Sequence, residues 1–517
     1  MSDASTYFVA DDDKAHGFAP ALAALAPRYS VRGSPAHTVR HTWLDTDDWR
    51  LHRAGMVLEQ SEFGADDIRL TLRAAGQRQA NDQLLDAIAW PSKSDAIPAG
   101  SVGSQIAGIV GIRALLPTAT LQTNHQDLRV LNDDGKTVVR LTIESSVGAQ
   151  GQRLADQLSV SGVPGYLDQA QRVASRFAAV PGIATTSVSI YERALQAAGR
   201  SFGDDRPKPV DMSASMPASD AVVAVLRGFL CTVQRTLDGV LADLDIEFLH
   251  DFRVAVRRAR STLKLAGDVL EPGAADQLGR DLKWLGDLTS PTRDLDVYLL
   301  EVPAVSSGLQ SAQPGDLAPF RDHLVRRRRT EFRRLVRGLR TARFRHALDH
   351  WLSVGLSAEP SEPGHLPSAG ALAVDRLRRA HRRVVKRGRA IGADSAAEDL
   401  HDLRKRAKEL RYLLEIFGPL HDPATHRAAL KDLKALQEVL GNFQDGQVQG
   451  QAVREFAASL MQKRSAPAAT VLAMGELAAQ LDVRQQHARS EFAARFAAFD
   501  SSASRRRFRK LASGSVG

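Results

Sequence analysis

Apolar residues recur with two different periods along this chain, and the change falls near residue 200. Residues 68–73 alternate apolar and polar side chains, which predicts a β-strand with one buried face. Val138–Ile143 alternates in the same way and is separated from Val130–Leu131 by Asn132–Gly135, which predicts a β-hairpin. Residues 165–178 have a helical pattern. We therefore expect an antiparallel β-barrel or a half-exposed sheet over residues 1–200.

Beyond residue 219 the apolar period is that of amphipathic helices. Ser201–Ser219 is rich in Pro, Ser and Asp and predicts a linker over residues 201–218. Pro or Gly marks predicted helix breaks at 271–273, 290–291, 359–364 and 418–419. The predicted helices occupy 220–243, 246–270, 274–289, 316–355, 369–391, 396–417, 425–443, 446–460 and 468–498. The prediction is an α+β multidomain protein with a sheet domain at 1–200, a helical domain at 219–500 and a frayed basic tail at 501–517.

The helical region repeats itself at an offset of 151 residues. Residues 250–263 read HDFRVAVRRARSTL, and residues 401–414 read HDLRKRAKELRYLL. The correspondence continues without a gap for about fifty residues and differs where Gln444 takes the place of Arg293. A repeat of this kind predicts two similar halves that face a common site.

Both copies place positive charge on one face of a helix. With about 100° per residue, Arg404, Lys408 and Arg411 lie within about 80° of His401, and the apolar residues lie opposite. The first copy repeats this face with His250, Arg253, Arg257, Arg260 and Lys264. Like charges at this spacing repel each other, and no carboxylate in the local sequence is expected to neutralise them. A solvated surface would explain one such helix, but its recurrence in both copies favours a site for a polyanion.

Two aspartates follow on the next helix of each copy. Asp294 and Asp445 are predicted either to orient the arginines through charge-assisted hydrogen bonds or to serve as helix caps. The sequence alone leaves both roles open.

The charge of the chain is concentrated in the region of the repeat. The formal net charge is +9, yet residues 1–200 hold 19 Lys and Arg against 21 Asp and Glu. Such a field favours nucleic acid, an acidic membrane or inorganic polyphosphate as a partner. The single cysteine, Cys231, is expected to be a buried thiol in a protein of the reducing cytoplasm. We find no signal peptide, no apolar run of the roughly 20 residues that span a bilayer, and no common catalytic motif, and we predict no cofactor, metal or catalytic residue.

The repeat resembles a known family. Residues 250–263 with 282–297 resemble the first half of a CHAD domain, the conserved histidine α-helical domain, and residues 401–412 with 433–445 resemble its second half. The resemblance covers roughly residues 215–500 and implies two antiparallel four-helix bundles related by a pseudo-twofold axis. It further implies a basic groove that binds inorganic polyphosphate and a cytoplasmic protein associated with polyphosphate granules.

The residues predicted to bind polyphosphate are the positions matching the family, one tyrosine on the same face and a further basic face between the copies. They are His250, Arg253, Arg257, Arg260, Lys264, Lys283, Arg293, His401, Arg404, Lys408, Arg411, Tyr412, Lys434, Arg378, Arg382, Lys386 and Arg389.

A weaker resemblance covers residues 1–200. Trp43–Thr46 with Leu51–Leu58, and later Gly165–Asp168, resemble segments of the CYTH, or triphosphate tunnel, family. The catalytic E-x-E-x-K motif of that family should lie near Ser2, Ala4 and Thr6, where neither carboxylates nor the lysine occur. We therefore expect a degenerate, non-catalytic domain, although Arg69, Arg73, Arg140 and Glu144 are candidates to line a tunnel.

Three functions compete at this point. The first is non-enzymatic binding of polyphosphate. The alternatives are a CYTH-type triphosphatase or cyclase in the first domain and a nucleic-acid-binding protein. The low aromatic content, 6%, disfavours nucleic acid because few side chains are available to stack on bases. The sequence does not predict an oligomeric state.

Overall fold

A computed structural model describes residues 6–10, 17–26, 28–64, 67–76, 80–85, 88–203, 210–354, 367–463 and 466–513. The chain divides into two compact units, residues 1–206 and residues 207–517. The predicted break at 359–364, part of the predicted linker (204–209) and the positions Ser2 and Ala4 lie outside the described residues. Every helix in the described part of the chain is too short or too polar to traverse a bilayer.

Within the described residues, the first unit is built on an antiparallel sheet of eleven strands, which confirms the predicted sheet. The strand order is β11-β1-β10-β9-β8-β3-β4-β5-β6, and β2 and β7 also pair with β8. The strands are β1 (Thr6–Ala10), β2 (Ser30–Gly33), β3 (His37–Asp45), β4 (Met56–Glu62), β5 (Ile68–Ala74), β6 (Ala80–Leu85), β7 (Ser92–Lys93), β8 (Ala114–Leu131), β9 (Thr137–Gly148), β10 (Gln157–Gly162) and β11 (Ile183–Thr186). The helices are α1 (Ala19–Ala23), α2 (Arg50–Arg53), α3 (Ser101–Val110), α4 (Leu167–Ala178) and α5 (Ile190–Ala197).

The predicted hairpin is confirmed as β8 and β9. Asn132 Oδ1 accepts a hydrogen bond from the Lys136 backbone at 2.9 Å, and Gly135 adopts φ +72°, which favours glycine. The predicted helix is confirmed as α4, whose Phe177 packs edge-on against Phe8 of β1 in the core behind the sheet. Apolar side chains thus line one face of the sheet, as the alternating pattern indicates.

The second unit is helical and begins with five helices of the first half, α6 (Ala218–Leu241), α7 (Ile246–Ala266), α8 (Pro272–Ser307), α9 (Ala318–Leu339) and α10 (Ala342–Ser353). The second half follows with α11 (Ala369–Arg389), α12 (Ala397–Ile416), α13 (Pro423–Gln462), α14 (Ala468–Phe499) and α15 (Ser502–Leu511). Each half therefore has four long helices and one short helix. The predicted all-helical region is confirmed.

Hydrogen bonds between the halves reveal their symmetry. The Ala218 backbone N–H donates to Pro367 O at 3.0 Å, and the Ala369 N–H donates to Met216 O at 2.7 Å. An offset of 151 residues converts one bond into the other. The first three helices of the halves also begin 151 residues apart, at 218 and 369, 246 and 397, and 272 and 423. A pseudo-twofold axis therefore passes close to residues 217 and 368.

Three helix boundaries differ from the predictions. The predicted break at 290–291 is wrong, because α8 runs through Pro291. There Thr289 Oγ1 donates to Leu285 O at 2.8 Å and Ser290 Oγ donates to Gly286 O at 2.7 Å, while Leu285 and Leu295 are buried. The second half likewise has one helix, α13, in place of two, and the predicted helix 316–355 is interrupted at residues 340–341. Packing on neighbouring helices outweighs the local preference of single residues.

The prediction of a frayed tail is wrong for residues 502–513. Ser501 caps α15 by accepting a hydrogen bond from the Ser504 N–H at 3.2 Å. Phe508 and Leu511 are buried, and the Phe508 ring stacks on His381 at 4.3 Å. The two apolar residues anchor an otherwise basic helix, and residues 514–517 lie outside the described part.

The prediction that Cys231 is buried is also wrong, because its side chain is exposed on α6. Its apolar neighbours in the sequence, such as Leu230 and Val233, occupy the buried face of that helix. Cys231 lies on the other face with Arg227, one helical turn earlier.

Candidate polyanion-binding site

The cationic faces of α7 and α12 lie beside each other because these two helices pack together across the pseudo-twofold axis. Asp245 caps α7 and accepts hydrogen bonds from the Glu247 and Phe248 backbones at 2.8 and 3.2 Å. Arg258 of α7 pairs with Glu415 of α12 at 3.1 Å, and Lys264 pairs with Glu409 at 2.6 Å. These two ion pairs join one side of α7 to one side of α12 and so determine how the two helices are oriented to each other.

We call the surface formed by seven of the predicted residues the cationic face: His250, Arg253, Arg257, Arg260, His401, Arg404 and Lys408. At its centre Arg257 and Arg260 are exposed, whereas Arg253 and Lys408 are half-buried. Among the described residues, no carboxylate lies within ion-pair distance of Arg257, Arg260 or Lys408. Positive charge from both halves therefore meets here, and these three side chains have no ion-pair partner among the described residues.

The clustering of charge at the centre perturbs the basic side chains. Burial lowers the pKa of Lys408 to about 8, and the charges of Arg404 and Arg257 add to this effect. Burial also lowers the pKa of Arg253, whose Nη1 donates to Thr289 Oγ1 at 3.5 Å. The surroundings of Lys408 and Arg253 disfavour the charged forms of both side chains, and a bound anion would reduce this free-energy cost.

At the margins, the expectation that no carboxylate neutralises the cations is wrong. Arg411 pairs with Glu415 at 2.7 Å, and Arg404 pairs with Asp445 at 3.3 Å. Lys264 is engaged by Glu409, as described above. Glu415 lies one helical turn after Arg411 on the same helix, so the sequence already contained this pair. Glu409 and Asp445 reach Lys264 and Arg404 from other helices through packing, which a wheel of one helix does not represent.

The two aspartates behave differently. Asp445 contacts Arg404, which favours the orienting role that the sequence left open. Asp294 lies near Arg253 and Arg293, and burial raises its pKa while the two arginines oppose that shift. The second half therefore holds its arginine by a direct ion pair.

The histidines of the two copies have different neighbours, and the difference coincides with the departure in the repeat. Arg293 donates to Ile246 O at 3.0 Å and lies 3.6 Å from Glu247, close to His250. Burial lowers the pKa of His250, and the charge of Arg293 lowers it further. In the second copy the uncharged Gln444 Oε1 is hydrogen-bonded to His401 Nδ1 instead. The surroundings of His250 therefore favour its neutral form.

The structure does not join all predicted residues to this surface. Lys283 and Lys434 are exposed, and within the described part no hydrogen bond or ion pair links them to the cationic face. Tyr412 lines a separate cavity of about 270 Å³ with Arg258 and Glu415.

The basic residues of α11 face a different part of the second half. Arg378 donates to Ala512 O at 3.1 Å, and Arg389 pairs with Asp500 at 2.7 Å, so both lie at the junction with α15. Arg382 and Lys386 are exposed on the same helix.

Sequence inspection missed the residues that hold the two cationic helices together, namely Arg258, Glu409 and Glu415. A signal was available, because the offset of 151 relates Arg258 to Glu409 and Lys264 to Glu415. Opposite charges at related positions indicate a contact across a twofold axis. Gln437 was missed as well; its amide donates to Ala407 O at 2.7 Å and steadies α12 against α13.

In the first unit, charged side chains lie on the polar face of the sheet and bind one another. Glu59 contacts His41 Nδ1 at 2.7 Å and Arg73 at 2.9 Å, and Glu144 lies 3.6 Å from His125. Burial alone would raise the pKa of Glu59, but the His41 and Arg73 contacts outweigh it and lower the pKa to about 2. Within the described residues, no cluster of three or more His, Cys, Asp or Glu is arranged to hold a metal ion.

Two other tunnel candidates also have defined surroundings. The Arg69 guanidinium lies 5.5 Å from the centre of the Phe63 ring. Arg140 is exposed on β9 opposite Ser161 of β10. Neither contact brings these arginines together with Glu144 at a common point.

Comparison with known proteins identifies the helical unit. The sequence model of the CHAD domain family matches residues 224–454. Residues 224–454 form a CHAD domain. An uncharacterised protein of Mycobacterium tuberculosis strain H37Rv is 31% identical over 215 residues, which are 39% of this chain and 38% of that protein. The chain therefore spans about two fifths of the length of this relative.

Two solved structures are similar to parts of this chain. The CHAD domain from the plant Ricinus communis is 27% identical and covers 56% of this chain and 95% of its own, with a TM-score of 0.47. A putative adenylate cyclase from Bacillus halodurans is 16% identical and covers 33% of this chain and 89% of its own, with a TM-score of 0.24.

Proposed function

We propose that the CHAD domain binds inorganic polyphosphate on the cationic face without chemically changing it, and that the protein associates with polyphosphate granules. The observation that carries this proposal is that Arg257 of the first half lies near Lys408 of the second. Arg260 follows Arg257 on the same exposed side of α7, and none of the three has a paired carboxylate among the described residues. A polymer of phosphates supplies many negative charges in a row, and guanidinium groups grip phosphate oxygens in a bidentate manner.

The symmetry of the site also suits this ligand. Polyphosphate has no sequence and the same chemistry in both directions along the chain. A surface built by two halves across a pseudo-twofold axis presents equivalent cations to either direction. Binding by charge neutralisation should weaken steeply as salt is added, because counterions are released from the polymer.

We further propose that the first unit is a degenerate CYTH-like domain without catalysis. The buried Glu59 is already bound by Arg73 at 2.9 Å, and the half-buried Glu144 lies 3.6 Å from His125. A divalent cation and a triphosphate would have to displace those contacts.

The test reverses charge at the centre of the cationic face. We expect the combined change of Arg253, Arg257, Arg404 and Lys408 to Glu to abolish binding of long-chain polyphosphate in a fluorescence titration. The matched control changes four exposed cations elsewhere in the same unit, Arg383, Arg427, Lys431 and Arg495, to Glu, and it should retain most of the affinity.

A milder variant guards against misfolding, because Arg253 and Lys408 are half-buried. The pair Arg257→Gln and Arg260→Gln removes two exposed charges and should weaken binding while the circular dichroism spectrum is unchanged. Equal affinity of the wild type and the fourfold variant would refute the proposal. Displacement of polyphosphate by duplex DNA at equal phosphate concentration would refute its specificity.

A further inference from the structure

A second row of positive charge lies on α9, on the outside of the first half. Arg326, Arg329, Arg333, Arg337 and Arg340 follow one another at intervals of three or four residues, so they lie within about 80° of one another around the helix. All five side chains are exposed. We call these five residues the outer arginine row; it extends over about 21 Å at 1.5 Å per residue.

Nothing within the described residues neutralises the outer arginine row. In the part of the chain that the structure describes, no carboxylate lies within 4 Å of any of its members, although neighbouring arginines of the same helix do have partners. Arg328 points inward to Asp243 and Asp296, at 2.6 Å from each, and Arg334 lies 3.8 Å from Glu331. On α9, Arg328 and Arg334 therefore have carboxylate partners, whereas the outer arginine row faces solvent.

The fold does not require this row. The fourth long helix of the second half, α14, carries three arginines and three acidic residues, whereas α9 carries eight arginines and two acidic residues. Both helices perform the same packing role within their halves. Repulsion along the row costs a few tenths of a kcal/mol per pair. Its presence in only one half also separates it from the two-sided cationic face.

We propose that the outer arginine row is a second polyanion-binding surface that takes the phosphate backbone of duplex nucleic acid, independently of base sequence. The row follows one exposed side of a helix, and an α-helix fits along or within a duplex groove. Duplex DNA carries about one charge per 1.7 Å, a density that several arginines over about 21 Å can neutralise together.

The surface is less suited to a membrane. Four large apolar residues of α9, Phe320, Leu324, Leu335 and Leu339, are buried in the bundle, and the other large ones are partly buried. Interfacial helices bind lipid by inserting an apolar face, with charge in support. The exposed side of α9 offers charge alone.

The experiment uses the full chain and three probes: a labelled 30-base-pair duplex of arbitrary sequence, long-chain polyphosphate, and vesicles containing anionic lipid. The row variant combines Arg329→Gln, Arg333→Gln and Arg337→Gln. The matched control combines Arg321→Gln, Arg327→Gln and Arg334→Gln, three exposed arginines of the same helix that lie off the row. Both variants lose the same net charge.

We expect the row variant to bind the duplex at least about tenfold more weakly. The slope of log affinity against log salt should fall by about 0.9 for each phosphate that the variant no longer neutralises. The control should change much less, and the row variant should keep its affinity for polyphosphate. An equal weakening in the row variant and the control would overturn the proposal, since only net charge would then matter. So would an unchanged affinity for the duplex, or a decrease confined to polyphosphate or to vesicles.

A third variant keeps the two surfaces distinguishable. Arg257→Gln with Arg260→Gln on the cationic face should leave duplex binding intact. If this pair removes duplex binding, the nucleic acid occupies the cationic face and the outer arginine row is not its site.

Discussion

At the scale of single residues, Lys408 shows what the pairing of two halves does to a side chain. Its ammonium group is half-buried, with Arg404 from its own helix and Arg257 from the other half nearby, and its pKa is lowered to about 8. A lysine of this kind is only partly charged just above neutral pH, whereas a bound polyanion favours the charged form. The same group therefore couples the affinity for an anion to pH.

The affinity for polyphosphate should decrease between pH 7 and pH 9. Below pH 8 Lys408 is charged in the free protein, and above pH 8 it must gain a proton to contribute to binding. Affinity should therefore be highest on the acidic side and fall by up to about tenfold per pH unit beyond the pKa. Titrations with long-chain polyphosphate at constant ionic strength would measure this, because internal phosphates of the polymer do not titrate in this range.

The matched control for this prediction is Lys408→Arg, which keeps a positive charge at all these pH values. It should bind at pH 9 nearly as well as at pH 7. A pH profile that is the same in the wild type and in Lys408→Arg would show that another group is responsible.

At the scale of helices, the contact of α7 with α12 depends on a difference between the two copies. The pseudo-twofold axis exchanges the pair Arg258–Glu415 with the pair Lys264–Glu409. The first half contributes both cations and the second half both carboxylates. Two identical copies would place cation against cation at both points, so the divergence of the repeat is what allows the halves to pair.

Reversing the charges of the pair Lys264–Glu409 tests this account, because the effect of Lys264→Glu on the thermal midpoint should then change sign. In the wild type, Lys264→Glu places a carboxylate beside Glu409 and should lower the thermal midpoint. In a Glu409→Lys background, the same change restores an opposite-charge pair and should raise it. The coupling should be within about 1 kcal/mol, because the Lys264 side chain is 66% exposed.

Differential scanning calorimetry of the four proteins in this cycle would measure the coupling. Arg406 also contacts Glu409 at 3.0 Å, so Glu409→Lys lowers the stability of the fold by itself. The double-mutant cycle subtracts this effect and leaves the coupling between positions 264 and 409. Lys264→Glu lowering the midpoint equally in both backgrounds would contradict the account. Added salt should reduce the coupling.

The helices also show which features the sequence predicts and which it does not. The positions of α7 and α12 and their cationic faces follow from periodicity and the repeat, since both depend on neighbours three and four residues apart. The continuity of α8 through Pro291 and the anchoring of α15 by Phe508 do not, because tertiary packing decides them. For the same reason the wheel gave the cations of the site but not the contacts of Lys264 with Glu409 and of Arg404 with Asp445.

At the scale of the whole molecule, the two units use charge in opposite ways. In the helical unit, central cations lack partners within the described residues, and the proposed ligands are polyanions. In the first unit, Glu59 on the polar face of the sheet is bound by His41 and Arg73. The first arrangement is prepared for an external anion, whereas the second satisfies its charges internally.

The 517-residue chain should therefore not hydrolyse inorganic triphosphate in the presence of Mg²⁺ or Mn²⁺. A metal-dependent reaction needs open carboxylates to hold the ion. Glu59 is bound by His41 and Arg73, and burial raises the pKa of Glu144, which weakens it as a metal ligand at neutral pH. Phosphate release measured over hours should not exceed that of a sample without protein.

A matched variant makes this prediction decisive. Glu144→Gln keeps the size of the side chain and removes its charge, so any hydrolysis that depends on this polar face should disappear with it. Release of phosphate by the wild type that is lost in Glu144→Gln would show that the first unit is catalytic. Equal release by both proteins would instead point to a contaminating phosphatase, because a reaction on the polar face cannot be indifferent to a carboxylate 3.6 Å from His125.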